Sequence, residues 1–208
     1  ETIFRQYVNL SVEQFLKNFN FNKEEENKIL SPFKNYKKEI KDFNKSKEFS
    51  MLKKGKAFKE SYEKNRLEQK KLFKEYIFKK SIIENPSRIA IVDVGWKGTI
   101  QDHIYKVLDQ KVSISGKYLG LNITENQKLN LKNSKEGIIF VNNPKSRFYD
   151  VYIKLTSLFE ILLAAPHGSA MRYKKGKNGV EAVCEEIKEE VVMYKEKTEQ
   201  IQEGMFNC

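Results

Sequence analysis

Apolar positions along this chain change their spacing near residue 85. Before that point they recur at helical spacing, the pattern of helices that pack by one face. Ser11-Val-Glu-Gln14 has the form of a capping box, and Val12, Phe15, Leu16 and Phe19 follow it at helical intervals. Asn22 stands where it can cap a second helix running through Ile29 and Leu30. Ser31-Pro32 restarts the chain, with proline at a tolerated first-turn position, and Phe33, Tyr36, Lys37 and Ile40 predict a third short helix. From about Ala57 a long helix is expected to reach Ile83. Its stripe of Phe58, Tyr62, Gln69, Leu72, Phe73, Tyr76 and Ile77 runs among lysines, and such a stripe is ordinarily core, otherwise a coiled-coil or partner surface. Asn85-Pro86-Ser87 punctuates the end.

Beyond it the runs shorten. Ile89 to Val92 is dense in β-branched residues and predicts a strand buried on both faces. Asp93 closes that run, and Gly95-Trp96-Lys97-Gly98 reads as a glycine-bracketed turn. From Thr99 the period becomes helical, with Ile100, Ile104, Val107 and Leu108 on one face, Thr99 as N-cap and Asp102 completing an approximate capping box. The alternation of Val112 to Leu121 predicts a second strand, the polar stretch Thr124 to Lys135 a loop, and Gly137-Ile-Ile-Phe-Val141 a third strand. Three such runs, the first two joined by a helix, point to a small, mainly parallel sheet with right-handed crossover. Tyr149 to Ala165 reads as a helix whose wide apolar face (Val151, Leu155, Leu158, Phe159, Leu162, Leu163) should pack on the sheet, and Pro166 and Gly168 stop it. Ser169, Met171 and Tyr173 open a hairpin that turns at Gly176-Lys-Asn-Gly179 and returns through Val180 to Val183. Glu185 to Gln202 is a charged helix. The fold class expected is therefore α/β: a Rossmann-like sheet flanked by helices, a helical layer over residues 1–84, and a core domain over 85–208 that ends in a hairpin and helix.

Composition changes this picture only at the margins. Hydrophobic content of 39% supports a folded chain rather than a disordered one. The formal net charge of +11 lies mostly in the first eighty residues, where lysine and asparagine are both abundant. Charge spread along helices in this way is a solvated face, so nucleic acid is not expected as a partner. Cys184 and Cys208 lack any metal spacing, and two cysteines exclude a disulfide scaffold, which fits a reducing compartment and hence the cytoplasm. No apolar run approaches the length of a membrane span. The chain opens on Glu-Thr-Ile-Phe-Arg, without Met, and reads as a piece of a larger protein.

Candidate chemistry gathers in two stretches. In the first, a strand, a glycine turn and a helix N-terminus form the layout that holds anions. Gly95 and Gly98 let the backbone approach a ligand, the N–H groups after Thr99 point at it, and Lys97 adds a positive charge. The glycine spacing is neither a Walker A nor a dinucleotide fingerprint. Asp93, at the carboxyl end of its strand, suits a nucleophile, a Mg²⁺ ligand or a ribose acceptor, and equally a residue that caps the next turn through its own backbone. Trp96 suits stacking on a ring or plugging a seam, and Gln101 lies within reach of the same ligand. In the second stretch, Glu160 interrupts an apolar surface, where it must be paired or else lie on the wet side of its helix. His167 and Ser169 follow in a glycine-containing bend, without the nucleophile-elbow sequence a serine hydrolase would need. Metal sites made of His and Cys are set aside.

These two stretches, Ile91-Val-Asp-Val-Gly-Trp-Lys-Gly-Thr-Ile-Gln101 and Phe159-Glu-Ile-Leu-Leu-Ala-Ala-Pro-His-Gly-Ser169, carry a likeness. Together with Gly116-Lys-Tyr-Leu-Gly120, they resemble the C-terminal region of bacterial proteins from surface-polysaccharide loci described as predicted haloacid dehalogenase (HAD) superfamily hydrolases. The resemblance covers roughly residues 55 to 175. It implies phosphorylated-sugar or nucleotide-sugar ligands and a glycosyltransferase as neighbour or partner. HAD phosphatases use Asp-x-Asp-x-Thr, with the first Asp as nucleophile, the second as acid/base, and Mg²⁺ as cofactor. Here Asp93 can take the first position, but Gly95 occupies the second, so the proton donor is missing. In the family the hydrolase motif lies in a separate upstream domain. Three readings remain: a ligand-binding or transferase-like domain holding phosphate on Gly95, Lys97, Gly98 and Thr99, with Trp96 stacking and Glu160 as base or hydroxyl anchor; a Mg²⁺-dependent phosphohydrolase using Asp93; and a scaffold that docks a glycan-assembly enzyme.

Overall fold

A computed structural model describes residues 8–80, 86–122, 130–141, 151 and 154–207. The chain divides into two compact units, Glu1–Leu72 and Phe73–Cys208, with the division inside a long helix.

The first unit is helical. Helix α1 (Val12–Leu16) begins with the predicted capping box, Ser11 with Gln14, and helix α2 (Lys23–Leu30) with the predicted Asn22 cap, which Glu25 completes to a second reciprocal box. No helix forms over Phe33 to Ile40. That stretch is a run of turns, and Ile40 instead pairs antiparallel with Leu10, exchanging N–H···O bonds of 3.0 and 3.2 Å. A helix unmarked by the apolar pattern, α3 (Lys47–Lys54), starts at Ser46, whose hydroxyl accepts the Phe49 N–H at 3.0 Å. Helix α4 (Lys56–Lys80) follows, and its predicted end at Ile83 falls outside the described residues. The core of this unit is an aromatic cluster in which Phe15, Phe43 and Phe58 are buried against Leu16, Ile29 and Leu52. Edge-to-face pairs such as Phe15 with Phe49 (ring centroids 5.4 Å apart) fix its geometry.

The second unit is mixed α/β. Strands β1 (Arg88–Trp96), β2 (Ser113–Leu121) and β3 (Asn133–Val141) form a parallel sheet in the order β1-β2-β3, and helix α5 (Thr99–Val107) connects the first two. The expectations of this region need five corrections. Strand β1 does not end at Val92 but runs through the supposed turn to Trp96, pairing Gly95 with Gly120 and Trp96 with Leu121. It is not buried on both faces, since Val92 is 80% exposed. Strand β3 starts at Asn133, within the stretch read as loop, because Asn133 pairs with Ile114 of β2. Thr99 is the first helical residue rather than the N-cap; Gly98 caps in the left-handed conformation at φ 62°, without a side-chain bond. The buried stripe of α5 is Gln101, Tyr105 and Leu108, while Ile100 points outward at 63% exposure.

One face of the sheet thus meets α5 in a small core of Tyr105, Leu108, Val112 and Ile114, with Ile89, Ile91 and Phe78 against it. The helix expected over Tyr149 to Ala165 is α6 (Thr156–Leu162); its predicted N-terminal part lies largely outside the described residues. Its apolar face is not covered by the sheet as expected, for Leu155, Leu158 and Leu163 are 42%, 46% and 48% exposed. The hairpin is as predicted: β4 (Ala170–Gly176) and β5 (Gly179–Cys184) pair antiparallel around Lys177-Asn178. Tyr173 of β4 packs on Phe73 and Tyr76 of α4, at centroid distances of 5.1 and 5.0 Å. The terminal helix is α7 (Lys188–Met193), a π-helical turn over Tyr194–Thr198, and α8 (Glu199–Phe206). Among the described residues no helix is long and apolar enough to cross a membrane.

Candidate functional site

The turn between β1 and α5 is built from below. Gln101 is fully buried, and its amide is used on both sides: Nε2 donates to Asn133 Oδ1 at 2.8 Å and to the Ser134 carbonyl at 2.9 Å. Its Oε1 accepts the Tyr118 hydroxyl at 2.8 Å. One residue on, the Asp102 carboxylate accepts from Asn133 Nδ2 and from Lys135 Nζ, each at 2.7 Å, and the Lys135 side chain is only 8% exposed. Asp102 therefore ties the first turn of α5 to β3 instead of closing a capping box.

This network explains two glycines at once. A Cβ on Gly116 would stand 1.9 Å from Gln101 Oε1, and one on Gly98 would stand 2.7 Å from the Lys135 side chain and 2.9 Å from the Tyr118 hydroxyl. Gly98 is further constrained by its positive φ. Burial, and then the charges of Asp93 and Asp102, push the Tyr118 hydroxyl from its ordinary value of 10.0 up to about 12. Tyr118 thus stays protonated and donates to Gln101 throughout the physiological range.

Above this base, the Asp93 carboxylate accepts the Gly95 N–H at 3.2 Å, an Asx-type closure of the strand end. Trp96 is half-buried at the end of β1, and Lys97, Thr99 and Ile100 are exposed beside the helix start. The N–H groups of the first helical turn have no partners within the helix. Gln101 is held in the base beneath the turn, where its amide orients backbone.

The second stretch lies elsewhere in the same unit. Glu160 is exposed on α6, on the wet side of its helix. With His167, Gly168 and Ser169 it lines a cavity of about 500 Å³ whose wall also includes Tyr194 and Thr198, and no residue of the Asp93–Gln101 stretch lines it. His167 Nδ1 lies 3.0 Å from the Gly168 carbonyl and 3.8 Å from Cys184 Sγ. The Glu185 N–H donates to the Ser169 carbonyl at 2.9 Å, and Gln202 Nε2 donates to the Leu162 and Ala164 carbonyls at 2.8 and 3.0 Å. The candidate residues therefore fall into two groups: Asp93 to Gln101 at the turn, and Glu160, His167 and Ser169 at the cavity.

Sequence reasoning passed over Tyr118, Asn133, Lys135 and Thr198. The signal for Tyr118 was present in Gly116-Lys-Tyr-Leu-Gly120, where the glycine makes room for the amide that Tyr118 binds. Asn133 and Lys135 sit in a polar segment whose strand character comes from pairing alone. Among the described residues no group of three or more His, Cys, Asp or Glu side chains is arranged to hold a metal ion. Compared with protein-family models and with curated proteins, the chain matches none.

Proposed function

We propose that this chain is a ligand-binding α/β domain of a HAD-like protein of bacterial glycan assembly. In this reading it holds the phosphate of a phosphorylated sugar or nucleotide sugar on the Gly95–Thr99 turn. The observation that carries the reading is the left-handed Gly98, which opens a nine-residue helix at the carboxyl end of a parallel strand. Backbone N–H groups at such a helix start, with the positive end of its dipole, attract an anion, and Lys97 adds charge beside them. The buried Gln101 network holds that turn rigid, so little ordering is needed on binding. Trp96 offers a ring surface at the same strand end.

The test is thermal denaturation with UDP-glucose and with glucose 1-phosphate, each with and without Mg²⁺. A ligand at a hundred times its dissociation constant stabilises the folded state by about 2.7 kcal/mol. We expect a saturable rise in melting temperature that Lys97→Ala abolishes. No rise with either compound would end this reading. A second reading, a scaffold that docks a glycan-assembly enzyme, draws on the exposure of Val92 (80%) and Ile138 (60%) on the sheet.

A further inference from the structure

The cavity beside α6 has a chemistry opposite to that of the turn. In a chain of formal net charge +11, no Lys or Arg lines it among the described residues, while two carboxylates do, Glu160 from α6 and Glu190 from α7. Ile161, Ile187 and Val191 supply apolar wall, and the volume of about 500 Å³ falls within the range of small-molecule sites. The deciding feature is Thr198. It lines the cavity and is 0% exposed, yet among the described residues its Oγ1 has no hydrogen-bond partner. A buried hydroxyl left unpaired is costly, and such a group calls for a partner that arrives from outside the chain. Thr198 closes the π-helical turn Tyr194–Thr198, and interruptions of this kind in an α-helix are frequent at functional sites.

We propose that this cavity binds a small organic cation, a protonated amine on a compact apolar body. An ammonium group carries three donors and no acceptor, and Glu160, Glu190 and Thr198 Oγ1 all offer acceptor oxygens. The apolar wall receives the body of the ligand. An anion would meet two carboxylates, so a phosphate held at the Gly95–Thr99 turn belongs to a different site. The proposal does not rest on the function assigned to that turn.

The probe is cyclohexylamine, with cyclohexanol as neutral counterpart and cyclohexanecarboxylate as anionic one, titrated into the ¹⁵N-labelled protein. We expect cyclohexylamine to shift the amide signals of Gly168, Ser169 and Thr198 saturably. Cyclohexanol should bind about tenfold more weakly, and the carboxylate should not bind. Thr198→Val, which keeps shape and removes the hydroxyl, should weaken amine binding about fivefold or more. The double variant Glu160→Gln with Glu190→Gln should do the same, and Lys97→Ala should change nothing. Equal binding of cyclohexanol and cyclohexylamine would overturn the cation assignment. Thr198→Val that raises the melting temperature and leaves amine binding intact would overturn the role of the hydroxyl. Absence of saturable shifts with all three probes would overturn the site. If the double Gln variant fails to fold, the comparison of the three probes on the unaltered protein still decides.

Discussion

Tyr118 and Gln101 show how much rests on single atoms in the second unit. The Gln101 amide is satisfied by Asn133 and Ser134 at its nitrogen and by Tyr118 at its oxygen, so removal of the Tyr118 hydroxyl takes from the buried Oε1 the donor it accepts from. The raised Tyr118 value also makes a statement about stability and pH. Unfolded, the phenol loses its proton near its ordinary value of 10.0; folded, it holds the proton to about 12. Below pH 10 both states carry the proton and this group adds no pH dependence. Between those values the folded state binds more protons, so stability falls as pH rises through the window. Urea denaturation from pH 9 to 12 should show this fall in the unaltered protein. In Tyr118→Phe the part due to this group should vanish, at a cost of about 1 kcal/mol at neutral pH for the lost hydrogen bond. An identical slope in both proteins would count against it.

At the scale of elements, the decisive joint is α5 to β3. Asp102 reaches Asn133 and Lys135 at the start of β3, and the side chain of Lys135 is only 8% exposed. A pair in which one ion is buried is strongly destabilised when its partner is removed, because the remaining charge is left in a poor solvent. Asp102→Ala should therefore cost about 2 kcal/mol, a figure reduced because Asp102 itself is 32% exposed. Adding Lys135→Met should recover part of that loss, and a double-mutant cycle in urea checks the coupling. Additive losses would mean that the two side chains do not act together. The same joint bears on the proposed ligand turn. On the proposed function, nucleotide-sugar binding should weaken in Asp102→Ala, since the turn loses its footing.

At the scale of the whole chain, the two units are held by different means. The first has a dense phenylalanine core, whereas the second buries a thin one on a single face of its sheet. On the other face, Ala90, Val92, Ser115 and Ile138 are exposed, with the Lys117–Glu136 ion pair among them. Parallel sheets are ordinarily covered on both sides, and an exposed apolar face favours association. Val92→Lys should thus reduce self-association in light scattering while changing stability by no more than about 0.5 kcal/mol. A melting temperature lowered by many degrees would show instead that Val92 is buried in solution.

Local signals were legible in the sequence where the physics is local. Ser11 and Asn22 cap their helices through atoms three residues away, and the Gly176 to Gly179 turn needs only its own backbone. The parallel sheet with a helix between its first two strands was also readable, because the change from helical to strand spacing lies in the apolar order itself. What the sequence could not decide depends on partners far along the chain. Ile40 prefers a bridge to Leu10 over a helix, and Asn133 becomes strand because Ile114 lies beside it. The clearest case is α5, where period alone places Ile100 inside and leaves Gln101 for a ligand. Three partners from β2 and β3 make a buried glutamine acceptable, and burying Gln101 turns Ile100 to the solvent. Apolar spacing and capping residues marked the two capped helices, the parallel sheet and the hairpin. Only tertiary hydrogen bonding determined which of their faces turn inward, because a polar side chain enters a core only when the fold brings its partners to it.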